Sequence, residues 1–460
     1  MTGSVVLADA TQMKTFIHQV PTEVMTNIFI DASRNSSLTD EDGPAPLIIS
    51  SVCRSWRDIA LETPVLWSSI EFHTGGLVWV HEHFLSTLKR YLKRSRQHPL
   101  FIAGSPPDKK VLDALIRHSE RWRELHLFLH PSLLPRFNKV KGRVPLLEVL
   151  SLDTMCHHPR DYWHGSFIDG FESAPALTNL TLSFELWRDI HVPWDQITDF
   201  TSNRVTLKDG LGYAGRCHNL STLTLGGCDP SDEIISPMTL RSVHSLQLVA
   251  SMRLGSNIDL SGIFLNVTFP GLTSLAIDNY EVETGLSWPH ENFLRAMARN
   301  LEPSLLTTFS IRNVLIDHTQ LVECLELFTA LETLSIVDFI RQPELQFECF
   351  YNPLAAGFFA GAVLALTWHA GTPRLVPKLT TLSLRGRFNV GDEFLLEDMI
   401  TSRCRLPPNQ DLSKVAKLNY VCLEFGRRCM KDSTRERLRR IEEKDRLEIR
   451  VIENSWAMSV

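Results

Sequence analysis

The sequence has no long hydrophobic run, no strong net charge and no paired-cysteine motif, and each absence removes a class of protein. Its longest apolar stretch, "LAAGFFAGAVLALTW" (Leu354–Trp368), covers only 15 residues. As a helix it would span roughly 22 Å, short of the ~30 Å hydrocarbon core of a bilayer. A buried helix is therefore expected, and no membrane partner. Gly357 and Gly361 within it would let that helix pack close to a neighbour. The formal charge is only −6 over 460 residues, which argues against nucleic acid as a partner, because that would favour a strongly basic domain. The nine cysteines include no C-x-x-C pair, a pattern expected of free thiols in a reducing compartment. The opening "MTGSVVLADATQMK" lacks the basic start and apolar segment of a secretory signal, so cytoplasm and/or nucleus is the expected location.

Catalytic motifs are missing as well. Nothing matches G-x-S-x-G, a phosphate loop or a paired-glycine nucleotide turn. No enzyme activity and no cofactor are expected. "CHHPRDYWH" (156–164) concentrates Cys, His and Asp, but no second ligand pair follows at metal spacing. Cys422 and Cys429 have no His nearby, so no metal site is expected there either.

What the chain has instead is an internal repeat. An L-x-x-L-x-L pattern, with conservative swaps, recurs in ten copies beginning at Trp122, Leu147, Leu177, Leu220, Val243, Leu272, Leu306, Leu331, Leu379 and Leu418. "LSTLTLGGC" (Leu220–Cys228) is the fullest copy, and "WDQITDF" (Trp194–Phe200) reads as a degraded one. Between copies lie amphipathic segments. "HENFLRAMARNL" (290–301) puts Phe293, Leu294, Met297 and Leu301 on one face, and "DHTQLVECLELF" (317–328) does so with Leu321, Val322, Leu325 and Phe328, with Asp317 as N-cap. Strand then helix, repeated, predicts stacked parallel strands with helices outside. The middle residue of each L-x-L points away from the core. Thr224, Gln247, Ser310, Ser335 and Ser383 from that column are the candidate substrate face. Arg312 and Arg385 are too few and too far apart to argue for an anionic ligand. The basic, incompletely amphipathic segment near the C-terminus is expected to be a solvated helix closing the array.

The front of the chain is different. In "VPTEVMTNIF", Pro21 and Glu23 suit a helix start, and Val24, Met25, Ile28 and Phe29 form an apolar stripe. After an acidic, Gly- and Pro-containing loop, "PLIISSVCRSWRDIA" reads as one further helical region with Ile49, Val52, Cys53, Trp56, Ile59 and Ala60 on one side. Pro64 ends it. Two short helices bury too little surface to stand alone, so they read as a docking module that completes its core on a partner.

"VPTEVMTNIF" followed by "VCRSWRDIALETPVLWSSI" resembles an F-box, with Pro21, Glu23, Cys53, Trp56, Pro64 and Trp67 at the expected offsets. It opens with Val20-Pro21 where Leu-Pro is usual, and its loop, about 31–46, is longer than in compact F-boxes. Later segments, among them "HSERWRELHL", "PKLTTLSL" and "RLRRIEEKDRLEIRVI", resemble F-box proteins with leucine-rich-like repeats of the type expanded in fungi. The resemblance implies an α+β solenoid: a tail (1–17), an F-box (18–72), a helical linker (73–120) and an irregular leucine-rich-repeat α/β arc (121–454) with an insertion at about 340–375. It implies a non-catalytic substrate-recognition subunit of an SCF-type cullin–RING ubiquitin ligase. A Skp-family adaptor would bind Val20, Pro21, Val24, Ile28, Val52 and Cys53. Phe29, Trp56, Ile59 and Trp67 would form the box core, the cullin would be met indirectly, and the repeats would capture a protein substrate. A binding scaffold working outside the ligase is the alternative.

Overall fold

Period-two alternation of Leu with small polar residues dictates the main element of the fold. In a strand, successive side chains point to opposite faces, so each L-x-L buries two apolar residues and leaves the intervening one on the open face. The computed structural model describes residues 20–40, 42–72, 81–106, 108–154, 167–183, 190–203, 206–226, 235–250, 260–279, 286–299, 305–337, 358–369, 374–386, 392–405, 415–425 and 430–453. Fourteen strands follow one another in chain order in a single sheet. They are β1 (Ser69–Phe72), β2 (Leu100–Gly104), β3 (Trp122–Leu129), β4 (Val149–Thr154), β5 (Asn179–Ser183), β6 (Asp199–Asn203) and β7 (Thr222–Gly226), then β8 (Ser245–Ala250), β9 (Ser274–Asn279), β10 (Thr308–Arg312), β11 (Thr333–Val337), β12 (Thr381–Gly386), β13 (Tyr420–Phe425) and β14 (Glu448–Glu453). Every pairing described within this sheet is parallel.

The helices of the front are α1 (Thr22–Ala32), α2 (Ala45–Val52) and α3 (Arg54–Glu62), followed by α4 (His81–Arg94) and α5 (Lys109–Ile116). Later come α6 (Leu207–Ala214), α7 (Ser261–Asn266), α8 (His290–Arg299), α9 (His318–Leu327), α10 (Phe358–Leu366), α11 (Asp392–Cys404) and α12 (Asp432–Asp445).

This architecture corrects the expected one. In place of a small helical F-box followed by an irregular leucine-rich-repeat arc, the protein is an α/β fold organised on a 14-stranded parallel sheet. The reason lies at residues 67–72. The chain leaves the front helices through a short 3-10 turn (Pro64–Trp67) and enters β1 at once, so the front helices lead directly into the sheet. Trp67 is fully buried and packs edge-on against Tyr91 of α4 at 5.1 Å, with the Arg94 guanidinium 4.4 Å from its ring centre. The segment expected to be a degraded copy carries β6. The 1–17 tail, the Cys156–His164 cluster, Cys429 and most of the 340–375 insertion lie outside the described residues.

By packing, the chain divides into Met1–Ile197 and Thr198–Val460. The core of the first unit runs through Trp122, Phe137 and Phe171, all fully buried, with ring centres 6.4 and 5.3 Å apart. That of the second is a run of rings. Trp288 lies 4.6 Å from Phe293, Phe293 6.2 Å from Phe328, and Phe328 5.3 Å from Phe309. Asp317 caps α9 as expected: its carboxylate accepts from the Gln320 N–H at 2.8 Å, and the Gln320 side chain accepts from the Asp317 N–H at 3.2 Å. The glycine-bearing apolar stretch contributes α10, whose Gly361 approaches α9 so closely that an added Cβ would lie 2.7 Å from the His318 ring.

Candidate functional site

Helix α1 has two faces, each an i, i+4 pair. Met25 and Phe29 point inward and are 6% and 1% exposed, whereas Val24 and Ile28 are 46% and 49% exposed. Phe29 anchors the inner face, its ring 5.0 Å from that of Trp56. The sequence suggested one apolar stripe; the structure splits it, with half buried and half left on the surface.

The second helical region is two helices rather than one. Cys53 is extended (φ −156°, ψ 174°) and ends α2. Its thiol then caps α3, accepting from the Trp56 N–H at 3.5 Å. The break resets the helical phase. Ile49 goes inward, and Ile48 (44% exposed) and Val52 (56% exposed) form a second surface i, i+4 pair. Arg57 ties the two helices together by donating from Nε to the Ser50 carbonyl at 2.9 Å.

Val20 is half-buried, Pro21 is exposed at the N-cap position just before α1, and Cys53 is half-buried. Of the expected core set, Phe29 and Trp67 are buried, while Trp56 and Ile59 are half-buried. The Trp67 indole donates to the Ala60 carbonyl at 2.7 Å. Ile48 was missed by sequence reasoning, although its i, i+4 spacing to Val52 is a usable signal once the break at Cys53 is recognised.

The loop between α1 and α2 is pinned to the sheet. The Leu38 N–H donates to the Glu71 carbonyl of β1 at 2.7 Å, and the Ser37 hydroxyl donates to the same oxygen at 3.1 Å. Leu38 itself is buried. The Ala45 N–H donates to the Ser36 hydroxyl at 2.7 Å, which holds the start of α2. The loop thus occupies the outer side of an edge strand, a position that would otherwise present bare backbone groups, and fixes the spacing of the two exposed pairs.

The five residues of the expected substrate face share one row on the second unit. Thr224 pairs in register with Gln247, and Gln247 with Ala276. Ala276 pairs with Ser310, Ser310 with Ser335, and Ser335 with Ser383. All five are half-buried. Two residues further along each strand lies a row that sequence reasoning undervalued: Asp278, Arg312, Val337, Arg385 and Glu424 on consecutive strands β9 to β13.

Among the described residues, no three His, Cys, Asp or Glu side chains gather as a metal site requires. No described helix is long and apolar enough to cross a membrane. The buried thiols of Cys324 and Cys404 are pushed up by burial, to about 12 and about 11, with Glu323 and Asp445 respectively adding to the effect. Such thiols are poor nucleophiles and poor ligands. No family model matches the chain, and no curated protein matches it.

Proposed function

We propose that this chain is the substrate-recognition subunit of an SCF-type cullin–RING ubiquitin ligase, docking a Skp-family adaptor by its front helices and a protein substrate by its sheet face. The observation that carries the reading is the pair of exposed aliphatic couples, Val24/Ile28 and Ile48/Val52, on helices whose sequence resembles an F-box. Each of the four side chains is about half exposed, so burying it under an adaptor contributes about 1 kcal/mol, half the value for a whole aliphatic side chain. Val20, Pro21 and Cys53 complete the proposed contact. The work of such a subunit is positioning: it holds a substrate lysine at high effective concentration near the charged ubiquitin carrier. Cytoplasm and nucleus, where such ligases operate, are the proposed location.

The test is co-expression with a Skp-family adaptor and size-exclusion chromatography, with Val24→Asp/Ile28→Asp as the second sample. A one-to-one complex that the charged variant abolishes supports the reading. No complex with the intact chain would sink it. If adaptor binds but cullin is not recruited, the chain acts as a scaffold outside the ligase.

A further inference from the structure

Strands β1 to β5 all belong to the first unit, and alternation turns every second side chain to the open face. Those side chains include three carboxylates (Glu71, Glu124 and Asp153), two phenylalanines (Phe101 and Phe128) and no Lys or Arg. All five are half-buried, so each shows part of its surface to solvent. The Glu124 side chain is 39% exposed.

Parallel register couples each ring with a carboxylate. Phe101 of β2 is paired with Glu124 of β3, and Phe128 of β3 is paired with Asp153 of β4. The members of a couple sit on neighbouring strands about 4.8 Å apart. The second couple lies four residues further along β3, about 13 Å at 3.3 Å per residue, and one strand to the side. The Phe101 ring packs on His126, with 5.6 Å between ring centres.

No Lys or Arg forms an ion pair with these carboxylates among the described residues. Glu71 accepts from the Ser69 hydroxyl at 3.2 Å, and Asp153 accepts from the N–H of the adjacent Thr154 at 2.7 Å. Glu124 lies 3.6 Å from Nε2 of His126, beyond hydrogen-bond distance. Arg123, next to Glu124 in sequence, is committed to Glu148 at 2.9 Å. The face is therefore negative. A ring beside a carboxylate favours a cation, because the ring's negative face attracts it and the carboxylate accepts its hydrogen bonds.

We infer that this face docks an extended basic segment of the protein substrate, with one Arg or Lys in each ring–carboxylate couple and three residues between them. In an extended chain, residues i and i+4 share a side and lie about 13 Å apart, which matches the separation of the couples along β3. The sideways offset makes the segment cross the strands obliquely. Glu71 lies in the row between the couples, with Ala103 and His126, and adds to the attraction. This names a substrate class for the functional reading above and rests on that reading for the sheet as the substrate side.

The probes are three labelled heptapeptides titrated by fluorescence anisotropy into the full chain. They are acetyl-Thr-Arg-Thr-Ser-Thr-Arg-Thr-amide, an isomer with the two arginines adjacent, and a version with both arginines replaced by glutamate. The first should bind, less tightly as salt rises. The isomer should bind about tenfold more weakly, since adjacent side chains of an extended chain point to opposite sides, and the glutamate version should not bind. Glu124→Gln and Asp153→Asn keep the shape and an acceptor oxygen, and each should weaken the first peptide by about tenfold. Phe101→Leu and Phe128→Leu keep an apolar side chain and remove the ring, and each should weaken it by about fivefold. The inference is overturned if the first peptide does not bind, if the isomer or the glutamate version binds equally, or if the Glu124→Gln/Asp153→Asn double variant, folded by its melt, binds as the parent does. Adaptor co-elution, measured on the same samples, reports separately on the ligase reading, because it depends on the front helices and not on this face.

Discussion

Ile28 and Phe29 are neighbours in sequence with opposite expected phenotypes. Phe29 is 1% exposed and stacks on Trp56 at 5.0 Å. Phe29→Ala removes a buried ring and leaves a cavity, which should destabilise the front by about 3–5 kcal/mol. Ile28 is 49% exposed, and Ile28→Asp should change the stability of the free chain by no more than about 0.5 kcal/mol. Against an adaptor the order reverses. Ile28→Asp forfeits about 1 kcal/mol of burial and brings an uncompensated carboxylate into an apolar contact, a penalty of several kcal/mol. Together these weaken the complex by roughly a thousandfold or more. Denaturant melts followed by Trp fluorescence measure the first effect, since Trp56 and Trp67 sit beside the change; titration calorimetry with the adaptor measures the second. If Ile28→Asp unfolds the front as Phe29→Ala does, the assignment of inner and outer faces of α1 is wrong. If it leaves adaptor affinity unchanged, the docking face is wrong although the fold is right.

Arg403 is 1% exposed and donates to the carbonyls of Leu366 at 2.7 Å, Leu375 at 2.9 Å and Val376 at 3.3 Å, so Arg403→Met should lower stability by about 3–4 kcal/mol, less whatever the relief of a buried charge returns; an unchanged denaturation midpoint would refute that role. Gly104 has φ +120°, and an added Cβ would meet the Phe72 carbonyl oxygen at 1.8 Å. Gly104→Ala should therefore cost about 3 kcal/mol or more by forcing β1 and β2 apart, read as lost amide protection in β1. Cys324 and Cys404 should resist thiol reagents at pH 8 in the native chain, whereas half-buried Cys53 reacts. Their folded pKa values exceed the ordinary thiol value of 9.0, so the unfolded chain loses those protons first and stability should fall as pH rises from about 9 to about 11. Melts that rise over that interval would contradict the burial of both thiols.

Much of this was readable in one dimension. The alternation at Leu220–Leu225 or Leu331–Ile336 can bury its apolar residues only as a strand. Asp317, three residues before Gln320, can satisfy helix N–H groups only as a cap. The front pattern of Pro21, Glu23 and Pro64 marks a helix start and an exit turn, but not the break at Cys53 that makes three front helices of the expected two. These are local consequences of side-chain period and backbone geometry, and they need no knowledge of what lies across the molecule.

Three things were decided only by the assembled chain. The first is that the strands add edge to edge into one parallel sheet that begins at β1, directly behind the front helices; pairing partners are chosen by packing between segments far apart in sequence. The second is the break at Cys53. Within the helix it ends, Pro46 and Ile49 are buried while Ile48 and Val52 stay on the surface, and an apolar stripe alone does not say which of its residues will face inward. The third is the juxtaposition of Arg312 and Arg385. Seventy-three residues separate them along the chain, yet parallel register removes that distance, because each strand contributes its residue to the same row regardless of the length of chain between strands.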